Sequence, residues 1–316
     1  MSSWKLSIGT AGVIGIRKLK TDALPTTAYI MLGEKCSRNC SFCAQAREST
    51  AAAKFLSRIA WQDTLEDEAV EHLVKAYSLG KIQRACFQVV NRPDSLATVK
   101  EAVTKLVAAG LPVVVSGYIT SVEEAKELFD LGVDRIGLAM DVATPELFAK
   151  IKGGSWQKRW DLLCSCAQAF PNKMTTHLIV GLGETEEEMW NVIKDCYVRN
   201  ITVGLFAFTP LPGTLMAAYA QPEIGSYRRL QMALGLLKRA FSPDVVVCRA
   251  GKIVDFKVKD IKEVLADGAA FRTSGCNKCN RPFYNERPGQ VLYNYPRALN
   301  SDEVQQAFLE SEVVTC

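Results

Sequence analysis

The sequence predicts an α/β fold, a (βα)8 TIM-type barrel that is complete or nearly complete. Short runs rich in Val, Ile, Phe and Thr alternate with longer amphipathic segments, which is typical of βα units around a parallel sheet. The chain is long enough for such a barrel, because it has 316 residues of which 48% are hydrophobic. The eight predicted strands are residues 27–32, 84–90, 112–117, 134–140, 174–180, 201–208, 244–250 and 269–274.

The segments between these strands carry apolar residues at helical spacing. The predicted helices are residues 66–79, 96–109, 122–131, 156–170, 186–200 and 227–241, with a short tail helix at 302–309 capped by Ser301. No stretch has the Gly/Ser/Pro composition of a linker. The sequence therefore predicts an N-terminal lead-in (1–26), a barrel (27–280) and a C-terminal tail (281–316) that covers the barrel mouth, where barrel enzymes carry their functional loops.

The composition argues against several classes of protein. The 38 basic and 34 acidic residues give a net charge of +4 without a run of five like charges, so no nucleic-acid partner is predicted. No stretch approaches the roughly 18 apolar residues of a membrane span, and the short apolar stretch at 6–16 lacks a signal-peptide cleavage site. An odd count of 11 cysteines fits metal-binding or reactive thiols in a reducing cytoplasm better than a disulfide framework.

Three cysteines follow the first predicted strand in the order C-x3-C-x2-C: Cys36, Cys40 and Cys43. Three thiolates can hold three irons of a [4Fe-4S] cluster and leave the fourth iron open to a small molecule. A structural zinc site is the alternative, but it requires a fourth ligand nearby. The two histidines, His72 and His177, lie outside this loop. The spacing therefore favours a cluster.

This loop, including the aromatic Phe42 before the last cysteine, resembles the signature of the radical S-adenosylmethionine (SAM) superfamily. The resemblance implies that SAM binds the open iron through its amino and carboxylate groups and that Phe42 lies against the adenine. It also implies that one electron, from reduced ferredoxin or flavodoxin, cleaves SAM to methionine and a 5′-deoxyadenosyl radical that abstracts hydrogen from carbon. The cofactor then supplies the difficult chemistry and the barrel orients the substrate.

Further matches resemble the biotin synthase branch of that superfamily. Gly181 and Gly183, after the fifth predicted strand, match glycines that approach the adenine, although a plain glycine turn is the alternative. Asp141, after the fourth strand, matches a carboxylate near the ribose, and a helix cap is the alternative. Arg159 matches an arginine that pairs with the SAM carboxylate, and a solvated helix arginine is the alternative.

A second cysteine group, Cys276 and Cys279, follows the eighth predicted strand and is expected at the same barrel mouth. Cys248 lies near the end of the neighbouring seventh strand, so the three are predicted to hold an auxiliary Fe-S cluster, [4Fe-4S] in type. Ser274 is the preferred fourth ligand. The alternatives are Thr273, Cys86 and Cys316, and the pair itself fits a redox dithiol or a zinc half-site as well.

Residues 26–32, 43–47, 279–289 and 292–296 resemble one subunit of the two-component lipoyl synthases of archaea and some anaerobic bacteria. This resemblance implies sulfur insertion into an octanoyl chain on a lipoyl carrier protein, with a second, related radical SAM subunit as partner and the auxiliary cluster as sulfur donor. Aromatic and arginine side chains of the tail are expected to contact both the carrier protein and the loop that holds Cys36, Cys40 and Cys43. These side chains are Phe283, Tyr284, Tyr293, Tyr295, Arg281, Arg287 and Arg297.

The sequence also departs from related patterns. No cysteine precedes Cys36, so the N-terminal auxiliary motif of single-protein lipoyl synthases is absent from this sequence, and cysteines that biotin synthase keeps on later strands are missing. Biotin synthase-like action on dethiobiotin, a radical mutase or carbon–carbon bond enzyme, and a non-catalytic Fe-S or zinc protein remain the alternatives.

Overall fold

A nine-stranded sheet forms the centre of the structure, a computed structural model that describes residues 3–52, 54–286 and 289–313. The strands are β1 (Ser3–Ser7), β2 (Thr27–Leu32), β3 (Phe55–Leu56), β4 (Ile59–Leu65), β5 (Arg84–Val89), β6 (Val113–Ser116), β7 (Arg135–Gly137), β8 (Met174–Val180), β9 (Thr202–Ala207), β10 (Val246–Arg249) and β11 (Lys252–Phe256). The helices are α1 (Ile8–Val13), α2 (Glu66–Ser78), α3 (Ser95–Ala108), α4 (Val122–Asp130), α5 (Pro145–Ile151), α6 (Trp156–Ala169), α7 (Glu186–Val198), α8 (Ile224–Leu237), α9 (Ile261–Val264) and α10 (Ser301–Ser311).

Six of these strands are parallel neighbours, in the order β2-β5-β6-β7-β8-β9, and the sheet curls into a half barrel. Parallel strands are covered on both faces, which is why β2 reads as a continuous apolar run with every residue buried. The α/β fold and the first six predicted strands are confirmed, and the predicted bounds of β2 and β8 match the structure residue for residue.

The predicted seventh strand is wrong. Residues 243–245 form a 3₁₀ turn, and β10 pairs antiparallel with β11 in a separate two-stranded sheet. Ala250 and Gly251 connect them with φ of 48° and 79°, as a two-residue hairpin turn with positive φ at both positions requires. Because β11 takes up the hydrogen bonds of β10, this segment does not extend the barrel.

The predicted eighth strand is also wrong, so a complete barrel is not formed. Ala269–Phe271 is a 3₁₀ helix, and Arg272 next forms an isolated bridge with Tyr295. Side chains contact the free edge of β9 in place of a strand. Ser274 Oγ accepts a hydrogen bond from the Leu205 N–H at 2.7 Å, and Asn285 Nδ2 donates to the Ala207 carbonyl at 2.6 Å.

An antiparallel extension continues the other side of the sheet, where β1 lies between β2 and β4 and β3 pairs with β4. Residues 1–26 were expected to be a lead-in, but Trp4 and Leu6 of β1 are buried in the main core. A five-residue strand is too short for its alternation to stand out in the sequence.

The C-terminal segment bridges the two edges of the open sheet. The Tyr284 carbonyl accepts from Ser57 Oγ at 2.9 Å beside β3, and the Asn285 carbonyl accepts from Thr209 Oγ1 at 3.1 Å beyond β9. Further along, α10 packs on α8, where the buried Arg228 Nε donates to Glu310 Oε2 at 2.8 Å. Tail residues therefore fill the gap that the two missing barrel strands leave.

The helices cover the outer face of the sheet with the amphipathic pattern that the sequence predicts. Thr185 caps α7 in a capping box with Glu188. The tail helix α10 has the same motif, formed by Asn300 and Glu303, so the predicted cap at Ser301 is wrong by one residue. No helix among the described residues is long and apolar enough to cross a membrane.

Candidate functional site

The cluster loop, residues 33–47, follows β2 at the carboxyl end of the strand, as predicted. Two backbone hydrogen bonds close it, from the Cys36 N–H to the Gln45 carbonyl at 2.7 Å and from the Arg47 N–H to the Arg38 carbonyl at 2.9 Å. The Ser41 N–H donates to the Ile151 carbonyl at 2.8 Å, which fixes the loop against the end of α5. Main-chain bonds thus hold the loop, and one of its N–H groups, that of Arg38, donates to Cys36 Sγ at 3.4 Å.

The three thiols of this loop line one cavity together and influence one another electrostatically. Burial raises the pKa of Cys43 to about 12, and the neighbouring Cys40 and Cys36 contribute to the rise. Burial also raises the pKa of Cys40, although Lys152 and Arg38 act in the opposite direction. Iron binds the thiolate form of cysteine, so ligation of an iron–sulfur core would displace these protons.

The outer cavity, about 420 Å³ and lined by the cluster-loop thiols, extends from the loop to α6. Ligand-binding pockets typically measure roughly 300–1,000 Å³, so it is large enough for a small-molecule cofactor. Its charged lining is mainly cationic, with Arg38, Lys152, Lys158 and Arg159 against Asp141. A cationic wall suits a ligand that carries a carboxylate.

Asp141 lies in this cavity, four residues after the end of β7. Its backbone joins the sheet through an isolated bridge to Leu178, with φ of 62°. Its carboxylate pairs with Lys152 Nζ at 2.6 Å, and both side chains are nearly buried. The helix-cap alternative is excluded, because Thr144 caps the next helix, α5.

Arg159 reaches the same cavity from the first turns of α6 and is 9% exposed, so it is not a solvated helix arginine. Its Nη1 donates to the Ile119 carbonyl at 2.7 Å, and its guanidinium lies 4.3 Å from the centre of the Tyr118 ring. Burial lowers the pKa of Arg159 to about 10, which leaves it charged at neutral pH. A buried, partly unpaired guanidinium is suited to bind a carboxylate.

Gly181 and Gly183 do not line the outer cavity. Gly181 has φ of 98° and packs so closely on Pro222 that an added Cβ would lie 2.8 Å from its ring. The Glu184 carboxylate accepts from the N–H groups of Gly181 and Leu182 at 2.7 and 2.9 Å. The structure thus places these glycines in a self-contained turn before α7.

The barrel cavity, about 190 Å³, lies inside the half barrel between Phe42 and Cys279. It shares Phe42, Cys43 and Asp141 with the outer cavity, so the two adjoin at the cluster loop. A closed barrel fills this space with large branched side chains, whereas here small residues such as Gly204 line it. Its wall is mostly apolar, and Phe206 and Phe208 contribute aromatic rings.

The second cysteine group lies at the far end of this cavity, not at the mouth as predicted. Thr26, which precedes β2, donates from its N–H to Asn280 Oδ1 at 2.9 Å, so the loop of Cys276 and Cys279 lies near the amino ends of the strands. The prediction assumes that a loop after a barrel strand lies at the barrel mouth. It fails here because residues 269–274 do not form a barrel strand. The loop instead enters the half barrel from its open side.

Cys86 joins this pair, and Cys248 does not. Cys86, on β5, lines the barrel cavity with Cys276 and Cys279, and the three are called the barrel thiols below. Burial raises the pKa of Cys86, and the thiols of Cys276 and Cys279 raise it further. Cys248 lies on β10 of the hairpin and packs against the main hydrophobic core, outside the barrel cavity. The prediction that Cys248 lies beside the pair is therefore wrong.

Ser274 also lines the barrel cavity, but its hydroxyl oxygen already accepts a hydrogen bond from the Leu205 N–H. Among the other predicted candidates for the fourth ligand, Thr273 Oγ1 donates to the Asn280 carbonyl at 2.7 Å. Cys316 lies outside the described residues. The structure does not single out a fourth protein ligand from these residues.

Polar side chains surround the barrel thiols. The Tyr29 hydroxyl lies 3.1 Å from Cys279 Sγ, and the Arg281 guanidinium lies 3.8 Å from the centre of the Phe206 ring. Burial and Arg281 lower the pKa of His177 to about 4, so its imidazole is neutral at pH 7. The hydroxyl of Tyr284 is buried and has no hydrogen-bond partner among the described residues.

Of the tail side chains expected to contact carrier or cluster loop, Arg281 and Tyr284 line the barrel cavity. Tyr293 Oη donates to the Pro222 carbonyl, and Arg297 pairs with Glu303 at the surface. Arg287 lies outside the described residues.

The donor chemistry of both cysteine groups fits Fe-S clusters, since soft thiolates are the ligands that such clusters prefer. In the described part of the chain, no group of three or more His, Cys, Asp or Glu side chains could hold a single metal ion. Each thiolate of a cluster binds a different iron, so cluster ligands need not meet at one point. The Tyr284 hydroxyl, which has no partner in the described part of the chain, provides a donor for a sulfur acceptor at the barrel thiols.

Three residues of the outer cavity were missed from the sequence: Arg38, Tyr118 and Lys152. Arg38 Nη1 donates to Tyr118 Oη at 3.2 Å and Nη2 to the Gly153 carbonyl at 2.8 Å. The sequence contains features that point to two of them as site residues: Arg38 lies inside the cysteine motif, and Tyr118 comes just after a predicted strand. Lys152 has a weaker signal, its position before two consecutive glycines.

Comparison with known proteins yields one family match and several distant relatives. A family model described as the radical SAM superfamily matches residues 30–196. A mitochondrial lipoyl synthase of Phaeosphaeria nodorum is 25% identical over 240 residues, which cover 71% of this chain and 60% of the relative. A biotin synthase of a Parafrankia species is 28% identical over 190 residues, which cover 57% of this chain and 49% of the relative. This chain thus spans 60% or less of the length of these two relatives.

Among solved structures, the [FeFe]-hydrogenase maturase HydG of Carboxydothermus hydrogenoformans is similar in fold. The TM-score is 0.53 at 15% sequence identity, and the match covers 68% of this chain and 52% of that chain. The matched family region runs from β2 into α7 and includes the cluster loop, Asp141 and Arg159.

Proposed function

This chain belongs to the radical SAM superfamily of enzymes, and we propose that it inserts sulfur at an unactivated C–H position of a protein-bound octanoyl chain, a step of lipoyl cofactor synthesis. The lipoyl synthase and biotin synthase relatives agree with the branch of the superfamily that the sequence resembles. Both are named for products that contain sulfur, which supports sulfur insertion as the reaction.

One observation carries the proposal: a single apolar cavity joins two cysteine groups. The barrel cavity begins at Phe42 and Cys43 of the cluster loop and ends at Cys276 and Cys279. A mutase or a carbon–carbon bond enzyme needs a radical source and a substrate pocket, but it does not need thiols at the far end of that pocket. Sulfur insertion requires both groups to face the same substrate.

The side chains of this chain bind and shield the reacting parts. Cys36, Cys40 and Cys43 would hold the SAM-binding cluster, and Arg159 and Arg38 would bind the SAM carboxylate. Phe206 and Phe208 provide an apolar wall suited to an acyl chain, and Tyr284 closes the open side of the half barrel against water. When bound, the first cluster supplies the electron that cleaves SAM to a hydrogen-abstracting radical, and an auxiliary cluster supplies sulfide.

Three partners form part of the proposal. The substrate is an octanoylated lipoyl carrier protein, and a second, related radical SAM subunit completes the sulfur insertion. Reduced ferredoxin or flavodoxin supplies the electron. These partners come from the resemblance to two-component lipoyl synthases, which places related chains in pairs.

The proposal is tested with protein reconstituted anaerobically with iron and sulfide and supplied with SAM and dithionite. An octanoylated lipoyl domain, with and without the second subunit, is one substrate, and dethiobiotin is the other. Mass spectrometry follows the gain of one sulfur atom, and chromatography follows 5′-deoxyadenosine. We expect sulfur on the octanoyl chain and none on dethiobiotin.

Other outcomes reject the proposal in distinct ways. Sulfur on dethiobiotin identifies a biotin synthase-like enzyme. Formation of 5′-deoxyadenosine with a product that lacks sulfur identifies a different radical reaction, such as a mutase. No cleavage of SAM at all identifies a non-catalytic Fe-S or zinc protein.

A further inference from the structure

We propose that Cys86 is the third protein ligand of the second cluster, together with Cys276 and Cys279. This inference rests on the proposed function in one respect, since it requires that a second cluster exists. It replaces Cys248, which the sequence pattern favours, with a residue from a different part of the chain.

The register of the sheet places Cys86 beside the pair. Cys86 is the partner of Tyr29 across the parallel strands β5 and β2, and such partners lie about 4.8 Å apart with side chains on the same face. The Tyr29 hydroxyl in turn lies 3.1 Å from Cys279 Sγ. Cys86 therefore projects into the barrel on the same side as the Tyr29 ring that contacts Cys279.

Packing gives independent support for this placement. Cys86 and Cys279 both pack against one small apolar cluster, whose buried members include Tyr29 and Tyr284. Cys276 lines the same cavity and lies within electrostatic reach of Cys86. Three thiols from β5 and the 276–279 loop thus face one space.

A buried polar atom beside these thiols lacks a partner. The Tyr284 hydroxyl has no hydrogen-bond partner among the described residues, although Cys86 and Cys279 are close enough to affect its ionisation. Buried hydroxyl groups nearly always have a partner, because leaving one unpaired destabilises the folded protein. The inorganic sulfides of a cluster held by Cys86 and Cys279 are acceptors at this position.

The other cysteines do not compete for this role. Cys248 lies on the β10–β11 hairpin, where it packs against the main hydrophobic core and does not line the barrel cavity. Gln88 Nε2 donates to Cys86 Sγ at 3.0 Å, so the protein already provides a donor for a thiolate at this position. Cys86 and Cys248 are both partly exposed free cysteines on short strands, which makes Cys248 a matched control.

The test is iron and sulfide analysis of anaerobically reconstituted full-length protein, with electron paramagnetic resonance of the reduced samples. We expect about eight irons per chain in the wild type and about four in Cys86→Ala, since one cluster remains. The retained irons of the first cluster show that this variant folds. Cys248→Ala should keep all eight.

A second variant background, which lacks the cluster-loop cysteines, shows which of the two clusters loses its irons in Cys86→Ala. In a Cys36→Ala, Cys40→Ala, Cys43→Ala protein the remaining irons, about four, belong to the second cluster. Adding Cys86→Ala should remove them, whereas Cys86→Ser should retain part of them with a changed resonance spectrum.

The outcomes separate this inference from the proposed function. If a Cys276→Ala, Cys279→Ala protein loses the second set of irons and Cys86→Ala keeps it, the assignment of Cys86 is overturned and the proposed function stands. If Cys248→Ala and Cys86→Ala lose equal amounts, the assignment is again overturned. If the wild-type protein binds only about four irons and the triple-variant background binds none, there is no second cluster, and both proposals fail.

Discussion

The cluster loop and the barrel thiols are two cysteine groups that are built in opposite ways. The cluster loop takes its three cysteines from eight consecutive residues, 36–43, and main-chain hydrogen bonds within the loop hold its shape. The barrel thiols combine Cys86 with residues almost 200 positions later in the chain, and the register of the sheet holds them. A local group can be recognised from spacing alone, whereas a group assembled by topology can be recognised only once the topology is known.

The two groups also differ in their surroundings. The cluster loop faces a cavity with four cationic side chains, Arg38, Lys152, Lys158 and Arg159, which suits a charged small molecule. The barrel thiols face aromatic rings and the neutral His177 in an apolar cavity. This contrast agrees with a division of labour in which one end binds SAM and the other end receives the apolar part of a substrate.

The largest expected effect tests whether the two groups work independently. Cys40→Ala should remove the SAM-binding cluster and reduce formation of 5′-deoxyadenosine by roughly a thousandfold or more, to background, because a cluster with two ligands does not persist. The iron of the barrel thiols should remain. Quantitative chromatography of 5′-deoxyadenosine together with iron analysis measures both effects.

Cys164→Ala is the matched control, since Cys164 lies on α6 outside both cavities and should leave both readings unchanged. Loss of all iron in Cys40→Ala, with the control intact, would show that the two groups depend on each other. The comparison between a local and a topological site would then no longer hold.

The sequence predicts the barrel part well wherever each strand is followed by its own helix. β2 and β8 match their predicted bounds because buried parallel strands are continuous apolar runs between polar turns. After β9 the same signals mislead, since β10 of a small hairpin has the same apolar run as a barrel strand. The turn at Ala250 and Gly251 is the one local feature that distinguishes them.

The same reason explains which site residues could be predicted. Arg159 and Asp141 each follow a correctly predicted strand or begin a correctly predicted helix, and both line the outer cavity. The sequence places Cys248 in the second group only because residues 244–250 have the apolar pattern of a barrel strand. Cys86 is among the predicted alternatives, but its partner across the sheet, Tyr29, is defined by pairing that a single sequence does not encode locally.

An intermediate effect is expected at the cationic wall of the outer cavity. Arg159→Met should raise the KM for SAM by roughly 10- to 100-fold, because a hydrogen bond to a charged group contributes about 1.5–3 kcal/mol. Arg159→Lys should restore part of the affinity, since it keeps the charge but loses the planar fork. Initial rates of 5′-deoxyadenosine formation over a range of SAM concentrations give KM and kcat separately.

The control for this measurement is Arg199→Met, at the end of α7, where the arginine is half exposed and pairs with Asp195. It should leave KM unchanged. A fall in kcat with an unchanged KM in Arg159→Met would mean that Arg159 supports Tyr118 and the Ile119 carbonyl rather than binding SAM. In that case the outer cavity would need another carboxylate-binding residue.

The smallest expected effect distinguishes the metal-free from the loaded form of the barrel thiols. In the metal-free protein, Tyr284→Phe should raise the free energy of unfolding by about 1 kcal/mol, because it removes a buried hydroxyl that has no partner among the described residues. Tyr29→Phe should lower it by about 1 kcal/mol, since it loses the contact with Cys279 and the hydrogen bond from the Arg281 N–H. Anaerobic urea unfolding followed by tryptophan fluorescence measures both.

Loading with iron and sulfide should reverse the sign of the change in unfolding free energy for Tyr284→Phe but not for Tyr29→Phe. If the Tyr284 hydroxyl donates to the second cluster, its removal should shorten the lifetime of that cluster against a chelator and shift its reduction potential. Equal destabilisation of the metal-free protein by Tyr284→Phe and Tyr29→Phe would contradict this, because it would mean that the Tyr284 hydroxyl is already paired without a cluster. The difference between the two tyrosines thus reports directly on whether the barrel thiols are built around a bound group.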